Sequence, residues 1–153
     1  MNNVIDYIQK EIHITYKKKY SKKYIEDNLI PIINYINYSK SKKFLFGGSQ
    51  GIGKSSFIKI IFKIIEKFYN KKILFLSLDN YYLSKKERLL LSKRIHHLLI
   101  TRGVPGTHDI KKLIKDINQF DKNQYPINVP LFDKLLDDRS KSKRIINKNY
   151  NIL

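Results

Sequence analysis

Cysteine is missing from all 153 residues, which excludes disulfides and thiolate metal sites. Alanine is missing too, and the chain leans on Ile, Asn, Lys and Tyr, a broad compositional bias toward a few residue types. No apolar run is long enough to span a bilayer and no secretory hydrophobic region is present, so no membrane partner is expected and the cytoplasm is the expected compartment. Acidic residues are scarce: 13 Asp and Glu stand against 31 Lys and Arg, a net charge of +18. Alone, such an excess suggests nucleic acid or an anionic surface. Here the cations are spread along the chain, so the bias charges every exposed face. The run from Tyr16 to Tyr24 interleaves aromatics with cations as single-strand binders do, but a solvated basic face is the better reading. Nucleic acid is therefore not the partner the sequence favours. A length of 153 residues, 42% of them hydrophobic, is that of one domain able to bury a core.

What the chain does have is Gly47-Gly48-Ser49-Gln50-Gly51-Ile52-Gly53-Lys54-Ser55-Ser56, the G-x-x-x-x-G-K-[ST] spacing of a phosphate-binding loop. Its glycines allow turns closed to other residues, so that successive N–H groups from Gly48 to Ser56 point into one concavity that fits phosphate oxygens. Lys54 reaches the terminal phosphates, Ser55 can ligate Mg²⁺, and the following helix adds its N-terminal partial charge. Such a loop needs a buried strand before it and a helix after it. Lys43–Phe46 and Phe57–Tyr69 have the patterns of both.

Upstream, residues 3–14 and 24–38 read as amphipathic helices, with Pro31 kinking the second or starting its latter part. Downstream, Asn70 suits a left-handed helix cap and Lys72–Leu78 reads as a second apolar strand. Strand, loop, helix and strand form a βαβ unit with parallel strands. That unit puts Asp79 on the same carboxyl-end rim as Lys54. Asp79 is not needed as a helix cap, because Ser84-x-x-Glu87 already forms a capping box. A catalytic role, or a water-mediated hold on Mg²⁺, follows. Lys85–Ile100 reads as a helix with Leu89, Leu90, Ile95, Leu98 and Leu99 on its apolar face and His96 and His97 as dipole partners at its end. After the Arg102–Asp109 loop, Asp109 N-caps a helix over 110–120, and Ile127–Lys134 reads as a short strand. Little periodicity is left in residues 140–153, which are expected to be poorly ordered. The expected organisation is a helical segment over 1–42 packed on the core, a phosphate-loop domain over 43–139, and a polar basic tail over 140–153.

Four segments in order resemble the D-glycerate kinases of bacteria, fungi and plants, P-loop kinases related to uridine kinase, phosphoribulokinase and pantothenate kinase. They are the phosphate loop, Leu76–Leu83, Arg102-Gly103-Val104-Pro105-Gly106-Thr107-His108-Asp109, and Pro130-Leu131-Phe132-Asp133-Lys134 with Asp137-Asp138-Arg139. The resemblance implies a three-layer α/β fold of the P-loop NTPase type, with a short parallel sheet, helices on both faces and an N-terminal helical extension. It implies an ATP- and Mg²⁺-dependent kinase acting on a small acid such as D-glycerate, with Lys54 and Asp79 catalytic. Tyr82, Arg102, His108, Asp109, Asp133, Lys134 and Arg139 would shape the acceptor site. The sequence departs from the family at Asn80, usually a second Asp, and at Leu131, usually Arg. Family members continue past the Asp-Asp-Arg segment into another strand and into lid and adenine-contacting elements. The resemblance thus expects a portion of such a kinase that a second chain or a C-terminal half would complete, and that binds nucleotide but turns over slowly alone. The alternatives are a nucleotide-binding protein without efficient turnover, a uridine kinase-like enzyme and a basic nucleic-acid binder.

Overall fold

Isoleucine does in this protein what alanine and leucine do in most helical cores. Ile5, Ile8 and Ile12 line one side of α1 (Asn2–Tyr16), Ile25, Leu29, Ile33 and Ile36 one side of α2 (Lys22–Tyr38), and Ile60, Ile61, Ile64 and Ile65 one side of α3 (Lys54–Tyr69). All are buried in one cluster. β-Branched residues are middling helix formers, so these helices owe their stability to the shared core, where each buried isoleucine contributes about 1.5–3 kcal/mol. A computed structural model describes residues 2–49, 51–148 and 150–153. Within it the chain divides into two compact units, one of residues 1–74 with 150–153 and one of residues 75–149.

In the first unit Ser21 caps α2 by accepting the Tyr24 N–H, and α2 runs as one helix across Pro31. The half-exposed ammonium of Lys63 on α3 lies 2.6 Å from Glu11 on α1, and its hydrogen bond holds that carboxyl below its usual range. α3 begins at Lys54, earlier than the apolar periodicity indicates, and ends at Asn70 in the left-handed conformation its residue type suggested.

The expected parallel sheet is not formed as a sheet. Neither 43–46 nor 72–78 is an assigned strand; among the described residues parallel pairing is confined to a bridge between Ile73 and Ile152 and the bonds around it. Leu74 donates to Ile152 O (2.8 Å), Asn151 to Lys72 O (2.8 Å), Phe44 to Leu153 O (2.9 Å) and Leu153 to Lys42 O (2.8 Å). Residues 151–153 thus lie between 72–74 and 42–44. Beyond Phe44 the ladder stops among the described residues, and Leu45 is 98% exposed. A strand needs neighbours to be buried, and apolar composition alone does not provide them.

The second unit holds the one assigned sheet among the described residues, an antiparallel pair of β1 (Ile127–Asp133) and β2 (Asp138–Ile146), with Ile127 opposite Ile146 and Phe132 opposite Arg139. β2 occupies much of the stretch expected to be poorly ordered. The signal overlooked there is Ile145-Ile146, whose second member is buried against β1, and Ile152, buried in the first unit. α5 (Ile110–Asp121) is capped by Asp109 as expected and packs on β1. α4 (Lys85–Arg94) has the expected capping box but stops well short of Ile100. His96 is extended there, its Nδ1 accepting the Leu98 N–H at 3.3 Å at the start of a 3-10 turn over His97–Ile100. The histidines are therefore not dipole partners at an α-helix end. Of the apolar face assigned to this helix only Leu99 is buried, and it lies in the 3-10 turn: Leu89, Leu90, Ile95 and Leu98 are exposed, and the side chain buried on α4 is Arg88.

Tyr81, at the end of a 3-10 turn over Leu78–Tyr81, donates its hydroxyl to fully buried Asp116 on α5 at 2.9 Å. Lys112 pairs with the same carboxylate and donates to Asn128 O at 2.7 Å. Burial, and then the Asp116 charge, push the Tyr81 phenol far above its ordinary value. In the folded state the phenol stays protonated where the unfolded chain ionises, so stability falls as pH rises above about 10. Denaturant titrations of wild type and Tyr81→Phe across that range should show the wild type losing about 1.4 kcal/mol more per pH unit. Parallel slopes would remove Tyr81 as the source.

Candidate functional site

The loop between residue 46 and α3 turns on glycines into the start of the helix. Gly53 precedes the helix at φ 84°, a left-handed conformation, and its carbonyl accepts the Tyr16 hydroxyl at 3.3 Å. Lys54 curls back over the loop and donates to the carbonyls of Gly48 and Ser49, both at 2.6 Å. A Cβ on Gly48 would sit 3.3 Å from the Lys54 stem, so a larger residue there would crowd the ammonium's path. Gly51 turns at φ 81°, and Ile52 and Ser55 are exposed while Ser56 is half-buried in the first turn of α3. Gln50 lies outside the described residues. These residues fit a polyphosphate: one movable cation over a glycine-lined turn, at a helix start with its partial positive charge. No group of three or more His, Asp and Glu side chains among the described residues could hold a metal. A divalent ion would have to be held by phosphate oxygens together with Ser55, the usual way Mg²⁺ is kept at nucleotide sites.

In the second unit most of the predicted acceptor residues converge on Tyr82. Its ring stacks on His108 at 4.0 Å between centroids and meets Phe132 edge-on at 5.2 Å. The two backbones pair: Tyr82 bridges His108, Leu83 donates to Thr107 O at 2.8 Å and Asp109 to Tyr81 O at 2.7 Å. Burial lowers the His108 imidazole below its ordinary value despite the opposing charge of Asp79, and its Nε2 is buried with no hydrogen-bond partner among the described residues. Burial, and next the Asp79 charge, raise the Tyr82 phenol.

The charged residues divide by what holds them. Arg139 donates to Tyr82 O (2.8 Å) and to Asp109 Oδ2 (2.9 Å), while Asp109 Oδ1 accepts the Lys112 N–H. Burial works to raise the Asp109 carboxyl, but these bonds outweigh it and hold the group below its usual range. Arg102 donates to Lys134 O (2.9 Å) and to Asp137 Oδ1 (3.1 Å). Asp133 accepts the N–H groups of Leu135 and Leu136 and so shapes the β1–β2 turn. Asp138 accepts the Lys85 N–H at 2.8 Å, which holds its carboxyl low. Arg102, Asp109, Asp133 and Arg139, read from sequence as acceptor contacts, are thus all engaged as struts. Asp79 and Lys134 differ: their exposed side chains meet at 2.7 Å.

Arg88 escaped the sequence reading. Its side chain is fully buried and donates to Leu83 O (3.2 Å), Ile100 O (2.8 Å) and Asp137 Oδ2 (3.0 Å). The clue available was the Asp-Asp-Arg segment, whose first Asp needs a partner.

The KAP family P-loop domain matches residues 21–103, more than half of the chain, from the cap of α2 to the start of the Gly-Val-Pro-Gly loop. The chain belongs to this family. The domain is also 37% identical over 98 residues to the probable ATP-dependent kinase TDA10 of Saccharomyces cerevisiae, covering 58% of this chain and 34% of that protein. It is 29% identical over 115 residues to the uncharacterized kinase mug58 of Schizosaccharomyces pombe, covering 72% and 41%. Among solved structures, that of the YGR205w protein superposes with a TM-score of 0.64 at 30% identity over 86% of this chain and 50% of the other. A D-glycerate 3-kinase from Cryptococcus neoformans does so with a TM-score of 0.55 at 27% identity, over 64% and 37%. This KAP-family domain has an α/β P-loop fold and spans between a third and a half of the length of these relatives.

Lys54→Ala should weaken ATP binding by about ten-fold or more while leaving adenosine binding nearly unchanged, the loss being that of one charge-assisted contact to phosphate. Calorimetry with both ligands measures it, and equal ATP affinity in the two proteins would disprove the assignment.

Proposed function

We propose that this KAP-family domain is the phosphate-binding portion of an ATP- and Mg²⁺-dependent kinase that phosphorylates a hydroxyl of a small acid, D-glycerate being the acceptor best supported by its likenesses. The observation that carries the reading is the loop geometry: Lys54 held on the carbonyls of Gly48 and Ser49 at the start of α3, in a chain whose named relatives are kinases. The first unit would supply the loop amides and Lys54 for the phosphates and Ser55 to hold Mg²⁺, which when bound would supply charge stabilisation. Asp79 would serve as the base, and Lys134, Tyr82 and His108, which lie in the same unit, would contact the acceptor. The acceptor oxygen bonds to the γ-phosphorus as the bond to the β–γ bridging oxygen breaks. ADP departs, and the hydroxyl proton passes to Asp79. Positioning and charge stabilisation supply the rate.

Asp79→Asn should keep ATP affinity within a few-fold and lower phosphoryl transfer to D-glycerate by about 10²-fold or more, the scale of a lost general base. Single-turnover transfer from γ-labelled ATP reads this directly. Transfer undiminished in the variant would take Asp79 out of the mechanism.

A further inference from the structure

The carboxylates around Tyr82 are already committed, with one exception. Asp109 caps α5 and binds Arg139, Asp133 builds the hairpin turn, Asp137 lies between Arg88 and Arg102, Asp138 takes the Lys85 N–H, and Glu87 closes the capping box. The cations divide the same way, with Arg88, Arg102 and Arg139 each donating to backbone carbonyls as well as to a carboxylate. What is left is Asp79 and Lys134, joined at 2.7 Å with side chains 47% and 62% exposed. The Lys134 backbone is fixed: its carbonyl accepts from Arg102, which is held by Asp137, and Asp137 is bound in turn by buried Arg88. A flexible ammonium on a fixed backbone can exchange one carboxylate for another. An exposed pair of this kind is worth little, so a competing anion displaces it readily.

We propose that Lys134 and Asp79 form an anion-exchange latch that selects acceptors carrying both a carboxylate and a hydroxyl. This rests on the kinase reading above and adds to it a basis for acceptor choice. At rest the ammonium is bound to Asp79 Oδ2. An acidic acceptor brings its own carboxylate to Lys134, and Asp79 is released from the pair to accept the hydroxyl proton. A neutral alcohol has no carboxylate to exchange, so Lys134 stays on Asp79. Because Lys134 and Asp79 are in direct contact, the acceptor's two groups must be close together, as in a 2- or 3-hydroxy acid.

The test uses the full chain without nucleotide. D-glycerate, L-lactate, glycolate and neutral glycerol are titrated into protein carrying ¹³C-carboxyl aspartate, with the Asp79 resonance as the readout. The hydroxy acids should move that resonance and glycerol should not. Asp79→Asn removes the competing carboxylate and should tighten D-glycerate binding about three-fold, the scale of an exposed ion pair. Lys134→Met should weaken it at least ten-fold, about the worth of one charge-assisted contact, and Lys134→Arg should restore it. Binding in Asp79→Asn equal to or weaker than wild type overturns the latch. So does equal binding in Lys134→Met, or no response to any of the three acids. ADP release by the same proteins separates the two ideas. The binding pattern without ADP release leaves the latch standing and rejects the kinase reading, whereas ADP release without the tightening in Asp79→Asn does the reverse.

Discussion

The guanidinium of Arg88 has no contact with water, and the second unit is arranged so that it needs none. A buried charge is tolerated only when its donors are satisfied and an opposite charge is close, since desolvation alone costs several kcal/mol. The Leu83 carbonyl before α4, the Ile100 carbonyl after the 3-10 turn and both oxygen types of Asp137 meet that demand. Three stretches far apart in sequence are thereby fixed to one planar group. Asp137 sits at φ 52°, a left-handed conformation that outside glycine is adopted mostly by asparagine and aspartate, and its carboxylate binds both arginines. From this point the order spreads outward: Asp137 holds Arg102, Arg102 holds the Lys134 backbone, and the Lys134 side chain reaches on to Asp79.

The first unit is organised by the opposite kind of force. Its isoleucine cluster is non-directional, and it specifies three helices by area and shape with few polar contacts. The phosphate loop is therefore carried on a rigid apolar base, while its own residues are bound mainly to one another. Lys54 holds the loop carbonyls, and Tyr16 from α1 steadies Gly53.

Patterns with a local physical cause were legible in the sequence. The phosphate loop, the Ser84–Glu87 capping box, the Asp109 cap, the Asn70 turn and the β1 strand each depend on residues within a few positions. What depends on distant partners was not legible. Lys43–Phe46 has a buried strand's composition, but among the described residues the ladder to 151–153 goes no further than Phe44. The leucines of α4 have helical spacing, yet the buried position went to Arg88, because Asp137 lies 49 residues away. Of the acceptor residues, sequence alone named candidates. It could not tell which were struts, since Arg102 and Arg139 differ from Lys134 only in what the fold places beside them. The comparisons established the P-loop family, and the acceptor remains a proposal.

Residues 151–153, zipped between 72–74 and 42–44, impose an order on synthesis. The second unit, 75–149, is continuous in sequence and has every partner it uses once Ile146 has been made. The first unit is not: its helices are translated early, but its backbone pairing waits for three residues made after the whole of the other unit. Non-local closure of this kind is slow and leaves apolar surface exposed in the meantime.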